Sequence, residues 1–225
     1  PCSARLKLLT MKALFDQISQ EMSELTTKRY STSFSLGISF LDKEIQKPIY
    51  AIYGFVRFAD EIVDTFHGYD KEKLLADFKV QTYEAIAAGI SLNPILNSFQ
   101  WAVNRYQIPA ELIDTFLDSM EMDLQKQTYD QGKYETYILG SAEVVGLMCL
   151  KVFVNGNEEK YNELKDSAMR LGSAFQKIIG DSKIIRWAMS TPVKIYNWAG
   201  HGLIFTDGVY EMIVDSCSYL ITMQT

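Results

Sequence analysis

From residue 11 to residue 178, apolar side chains return at steps of three and four, and no stretch alternates apolar with polar residues as a half-buried strand does. That period calls for helices packed on helices. It predicts eight of them, near 11–28, 34–41, 44–66, 70–89, 93–106, 109–127, 133–154 and 158–178. Between them stand "HGYD", "GISLNP", "RYQIPAE", "YDQGK" and "VNGNEE", which hold the Gly, Asn, Asp and Pro suited to caps and loops. Only five prolines occur in 225 residues, so few helices are interrupted. No repeat, linker or low-complexity tract divides the chain, and its length allows one substantial core. The expectation is a single all-α domain over 11–178.

The two ends differ in texture. "PCSARLKLLT" (1–10) precedes a natural-looking start at Met11 and reads as upstream sequence, a cloning remnant or a short disordered native tail. After Ile178 the helical period weakens. The stretch 179–225 holds two of the three Trp, only seven charged residues, and β-branched and aromatic clusters that suit short strands. It is set apart as a separate segment.

Charge and cysteine content exclude several classes. A net charge of −6 opposes a general nucleic-acid binder, which needs a basic face. Cys2, Cys149 and Cys217 form no CxxC pair and no even disulfide framework, so a reducing, cytoplasmic location is expected. His67 and His201 are too few for a histidine-based zinc site. No apolar run is long enough to span a membrane.

The chemistry concentrates in "RFADEIVDTF" (57–66). With 44–66 as a helix, Ile52, Val56, Ala59, Val63 and Phe66 form an apolar stripe. Tyr53, Arg57, Asp60 and Asp64 form a second stripe, about 130° round at roughly 100° per residue. Glu61 points further round. Two carboxylates one turn apart repel when ionised in a poor solvent, and a bridging cation relieves that. Mg²⁺ suits, because it takes oxygen ligands and is usually shared with substrate phosphates. The bland alternative is a solvated helix face on which Arg57 pairs with Asp60 or Glu61.

Five segments, in order, resemble those of the squalene/phytoene synthase family, most closely the bacterial phytoene synthase type. "YAIYGFVRFADEIVD" resembles its first aspartate-rich motif, Y-x-x-(C/V)-R-x-x-D-(D/E)-x-x-D. "KRYSTSFSLGISFL" (28–41), "SMEMDL" (119–124), "YETYILGSAEVVGLM" (134–148) and "LGSAFQKI" (171–178) resemble four further segments. The resemblance implies an isoprenoid-synthase-like helical bundle around a central apolar cavity. It implies Mg²⁺-dependent, head-to-head (1′–1) condensation of two prenyl diphosphates, geranylgeranyl or farnesyl diphosphate, in carotenoid or terpenoid biosynthesis. Such apolar substrates are compatible with peripheral membrane contact.

Residue by residue, the resemblance makes Asp60, Glu61 and Asp64 metal ligands and Arg57 a diphosphate contact. Ser31 and Ser33 fall beside the diphosphate, although helix capping ahead of Phe34 also explains them. Tyr53 and Tyr137 match cavity tyrosines, and Gln176 matches the glutamine before the second aspartate-rich motif. Phe34, Leu36, Val145 and Met148 are candidate cavity walls, or ordinary core. Gly140, Ser141, Ala142 and Gly146 are expected to let the helix over 133–154 pack closely.

The pattern then breaks. The family's second motif, L-G-x-A-x-Q-x-x-N-x-x-R-D-x-x-(D/E)-D, requires Asn where Ile179 stands, and "IIGDSKIIRWAMS" carries none of its acids. Asp207, Glu211 and Asp215 are spaced like a carboxylate ladder but lack the Asn and Arg context. The expectation is an interrupted synthase sequence of impaired activity, with 179–225 not homologous. Two alternatives stand beside it. A chain-elongating prenyltransferase or terpene cyclase predicts DDxxD or NSE/DTE motifs, which are absent. A non-catalytic relative serving as an assembly factor is favoured by the lost motif and opposed by the intact first one.

Overall fold

The computed structural model describes residues 2–124, 139–180, 194–198 and 201–205. Eight α-helices are described: α1 (Cys2–Tyr30), α2 (Thr32–Ser39), α3 (Lys43–Asp64), α4 (Lys71–Ala88), α5 (Pro94–Tyr106), α6 (Ala110–Leu124), α7 (Val144–Val154) and α8 (Glu158–Gly180). A short π-helical turn, Leu139–Glu143, leads into α7. In the tail, Lys194–Trp198 and His201–Phe205 form a two-stranded antiparallel hairpin with Ile195 opposite Ile204. The helical body matches the periodicity, and among the described residues strands occur only where the period fades.

Local chemistry sets the helix ends. Asp70 caps α4 by accepting from the Lys73 amide at 3.0 Å. Asn93 caps α5 with Pro94 in its first turn, as the missing N–H of proline favours. Gly89, Gln107 and Asn155 close α4, α5 and α7 in left-handed conformation. Helix α1 begins well before residue 11, so its backbone is helical through 2–10.

Helix α3 is the hub and touches α1, α2, α4, α5, α6 and α7. Its Phe55 is fully buried and stacks on Phe99 of α5 at 3.8 Å, with Phe78 of α4 and Phe116 of α6 each 5.5 Å away. The α3 core face is Ile52, Phe55, Ala59, Ile62 and Val63. This corrects the predicted stripe. Helix α3 stops at Asp64, leaving Phe66 beyond it and 38% exposed, while Phe55 and Ile62 take the central places. The remaining face of α3 carries the charges.

Candidate active site

Ser31 starts the site. Its hydroxyl accepts from the Phe34 amide at 3.2 Å and caps α2, as its place ahead of Phe34 suggested. The same side chain hydrogen-bonds Tyr53 on α3, and burial raises the Tyr53 phenol above its ordinary range. The Tyr53 ring packs on Phe34 at 5.3 Å. The α2 cap is thereby tied to the charged stripe one turn before Arg57.

The guanidinium of Arg57 is surrounded. Nη1 donates to Asp60, Nη2 donates to Glu61 at 2.5 Å, and the Tyr30 ring lies 4.5 Å below it. Nε is buried and has no hydrogen-bond partner. These charges are not freely solvated: the side chains of Arg57, Asp60 and Glu61 keep 23%, 32% and 17% of their exposure. Asp64 is exposed. The pairing of the bland alternative is present, therefore, but on a half-buried wall.

Burial pushes the Asp60 carboxyl up to about 6. Arg57 opposes that rise, whereas Asp64, Glu61 and Asp123 of α6 add to it. Glu61 differs: burial raises its carboxyl, but hydrogen bonds from Thr65 and Arg57 outweigh burial and hold it low. Thr65 Oγ1 donates to Glu61 Oε1 at 2.6 Å. Glu61 is thus occupied by Arg57 and Thr65, and Asp60 by Arg57, with Asp64 and Asp123 adding negative charge beside Asp60.

The donor set suits Mg²⁺ in one respect. Asp60 and Asp64 are hard oxygen ligands, and Mg²⁺ is commonly held by one or two carboxylates together with substrate phosphates. Among the described residues no group of three or more His, Cys, Asp or Glu could hold a metal unaided. The wall fits a metal shared with a phosphate and does not form a protein-only cage.

Other expected residues fall elsewhere. Phe34 and Leu36 on α2 are 39% and 42% exposed, whereas Met148 is wholly buried in the main core and Val145 packs against it. A Cβ on Gly140 would meet Ser119 of α6 at 2.5 Å, and one on Gly146 would meet the Ala168 carbonyl at 2.8 Å, so both are close helix contacts. Ser33 and Gln176 lie in α2 and α8, with side chains outside the described set. Tyr137 and the ladder Asp207, Glu211 and Asp215 lie outside the described residues. Sequence reasoning missed Tyr30, Thr65 and Asp123. Asp123 sits inside the quoted "SMEMDL", and Tyr30 immediately precedes Ser31.

The squalene/phytoene synthase family model matches residues 27–179. A 4,4′-diapophytoene synthase from Staphylococcus haemolyticus is 24% identical over 152 residues, covering 66% of this chain and 52% of that one. A phytoene synthase from Arthrospira platensis is 26% identical over 135 residues, covering 60% and 44%. A chloroplastic phytoene synthase from Daucus carota is 30% identical over 162 residues, covering 65% and 38%. The chain spans about half, or less, of the length of these relatives. A squalene synthase from Alicyclobacillus acidocaldarius superposes with a TM-score of 0.62 at 22% identity, covering 72% of this chain and 59% of that one. A dehydrosqualene synthase crystallised with a ligand superposes with a TM-score of 0.63 at 18% identity, covering 93% and 76%. At these identities the two structures speak to the fold, an all-α isoprenoid synthase fold.

Proposed function

The chain belongs to the squalene/phytoene synthase family, and from that premise we propose that its α3 wall binds a prenyl diphosphate together with Mg²⁺, for head-to-head condensation of two such molecules. The observation that carries the reading is the half-buried row of Tyr53, Arg57 and Asp60 beside exposed Asp64, on a helix whose opposite face is the core. The substrate class is geranylgeranyl or farnesyl diphosphate, and the product a carotenoid or terpenoid precursor.

Each residue has a task. Asp60 and Asp64 would hold Mg²⁺, which when bound supplies positive charge to the departing diphosphate. Arg57 donates planar N–H bonds to phosphate oxygens. Ser31, fixed as the α2 cap, places its hydroxyl beside Tyr53. Phe34 and Leu36 present apolar surface for the prenyl chain and exclude water from a cationic centre. Ser33, Tyr137 and Gln176 keep the diphosphate-side and cavity roles that the family resemblance implies. Glu61 acts by holding Arg57. The region 11–178 is the synthase unit in this reading, and 179–225 does not carry the family's second aspartate-rich motif.

Asp64→Asn tests the proposal most cleanly, because Asp64 is exposed and its loss leaves the core untouched. Mg²⁺-dependent binding of inorganic pyrophosphate should weaken about tenfold or more, with unchanged helicity. Parent-like binding by both Asp64→Asn and Asp60→Asn would reduce the stripe to a charged helix face. No helix among the described residues is long and apolar enough to cross a membrane. A cytoplasmic protein with at most peripheral membrane contact is the accompanying proposal.

A further inference from the structure

Arg57 stands where a metal's charge would be needed. One of its nitrogens neutralises Asp60, a second is held by Glu61, and the Tyr30 ring closes a third side. A carboxylate that already accepts from a guanidinium offers a metal less charge. Moving that guanidinium away would strand a half-buried cation, a costly arrangement unless an anion takes the place of the lost partner. A diphosphate is such an anion, and Nη1, once freed from Asp60, provides a donor for it. Without the diphosphate, a metal meets Asp64 and an Asp60 that is already paired, and no third ligand is gathered among the described residues.

We propose that Arg57 is the site's built-in counter-cation: it neutralises Asp60 in the ligand-free protein and passes its Nη1 bond to an incoming diphosphate, which frees Asp60 for the metal. Metal and diphosphate then bind as a coupled pair, each weak alone. The bond from Nη2 to Glu61 keeps Arg57 in place while Nη1 changes partner, and Thr65 fixes Glu61 in turn. This rests on the diphosphate reading above and adds to it the order in which charges are exchanged.

The test uses the full chain, inorganic pyrophosphate, and Mn²⁺ as a countable substitute for Mg²⁺. Free Mn²⁺ is measured by electron paramagnetic resonance, with its complexation by pyrophosphate in solution subtracted. Saturating pyrophosphate should tighten Mn²⁺ binding by about tenfold or more, within the usual range of coupled ligands. Arg57→Gln should bind Mn²⁺ alone about tenfold more tightly than the parent and lose most of the coupling. Arg57→Lys, which retains a charge, should restore the weak metal-only binding and show that charge, not altered folding, is responsible. Metal-only binding by Arg57→Gln no tighter than the parent's would overturn the counter-cation role while leaving the diphosphate site intact. Failure of the parent to bind pyrophosphate, with or without Mn²⁺, would overturn both.

Discussion

Asp60 carries the main electrostatic conflict of the site. Its carboxyl titrates near 6 in the folded protein against an ordinary 3.8. Between those values the folded state binds more protons than the unfolded state. The stability given by the protonated form is therefore full below about pH 4 and is lost as the pH rises to about 6. Asp60→Asn keeps an uncharged side chain at every pH. It should stabilise the protein at about pH 7.5, on the order of 1 kcal/mol after allowance for partial exposure, and match the parent at about pH 3.5. Thermal melts at the two pH values check this, and a less stable variant at neutral pH would show that the Arg57 pair outweighs burial. At this scale, the sequence aligned Tyr53, Arg57, Asp60 and Asp64 correctly, because helical period is a local property. Tyr30 and Asp123 were not legible as members of the site, since their approach to Arg57 and Asp60 depends on how α1 and α6 pack against α3. Phe66 was misplaced because the core face was extended past Asp64, where the helix ends.

Among the elements, α1 shows where periodicity misleads. Met11, Leu14 and Ile18 are 62%, 48% and 45% exposed, while Ser19, Ser23 and Thr27 are buried. Small hydroxyl side chains let α1 approach α3 so closely that a Cβ on Gly54 would lie 3.1 Å from Ser23 Oγ. Across the α1–α5 interface Asn97 donates to Asp16 at 3.0 Å and to Ser19 at 3.1 Å. An apolar stripe proves that a helix forms, but not which side it buries. The small residues ahead of and within α7 were easier to read. Gly146→Ala should cost about 1–3 kcal/mol, because its Cβ would meet the Ala168 backbone at 2.8 Å and α7 and α8 would have to separate. Gly37→Ala, in α2 with nothing within 4 Å of its Cβ, should instead stabilise by up to about 1 kcal/mol. Denaturant titration of both variants distinguishes close packing from generic helix propensity, and equal effects would contradict the packing argument.

Over the whole molecule, the all-α body was legible because its helices are long and their caps conventional, and the family match ends at residue 179, where the sequence leaves the family pattern. The described helices bury an aromatic core around Phe55, and α3 presents an acidic wall with Asp123 nearby. Two diphosphates must depart in the proposed reaction, and stabilisation of each departure matters more in the transition state than in the ground state. Removing a single such contact commonly costs about 10²–10³-fold in rate. Under the proposed function this chain holds a diphosphate-binding half of a condensing site. The most direct measurement incubates the chain with Mg²⁺ and farnesyl or geranylgeranyl diphosphate and assays the head-to-head product, beside a chain in which the family's second aspartate-rich motif replaces the residues after Ile178. Little or no product is expected from the first and clear product from the second. Equal product from both would contradict this and would make Glu211 and Asp215 the next residues to substitute.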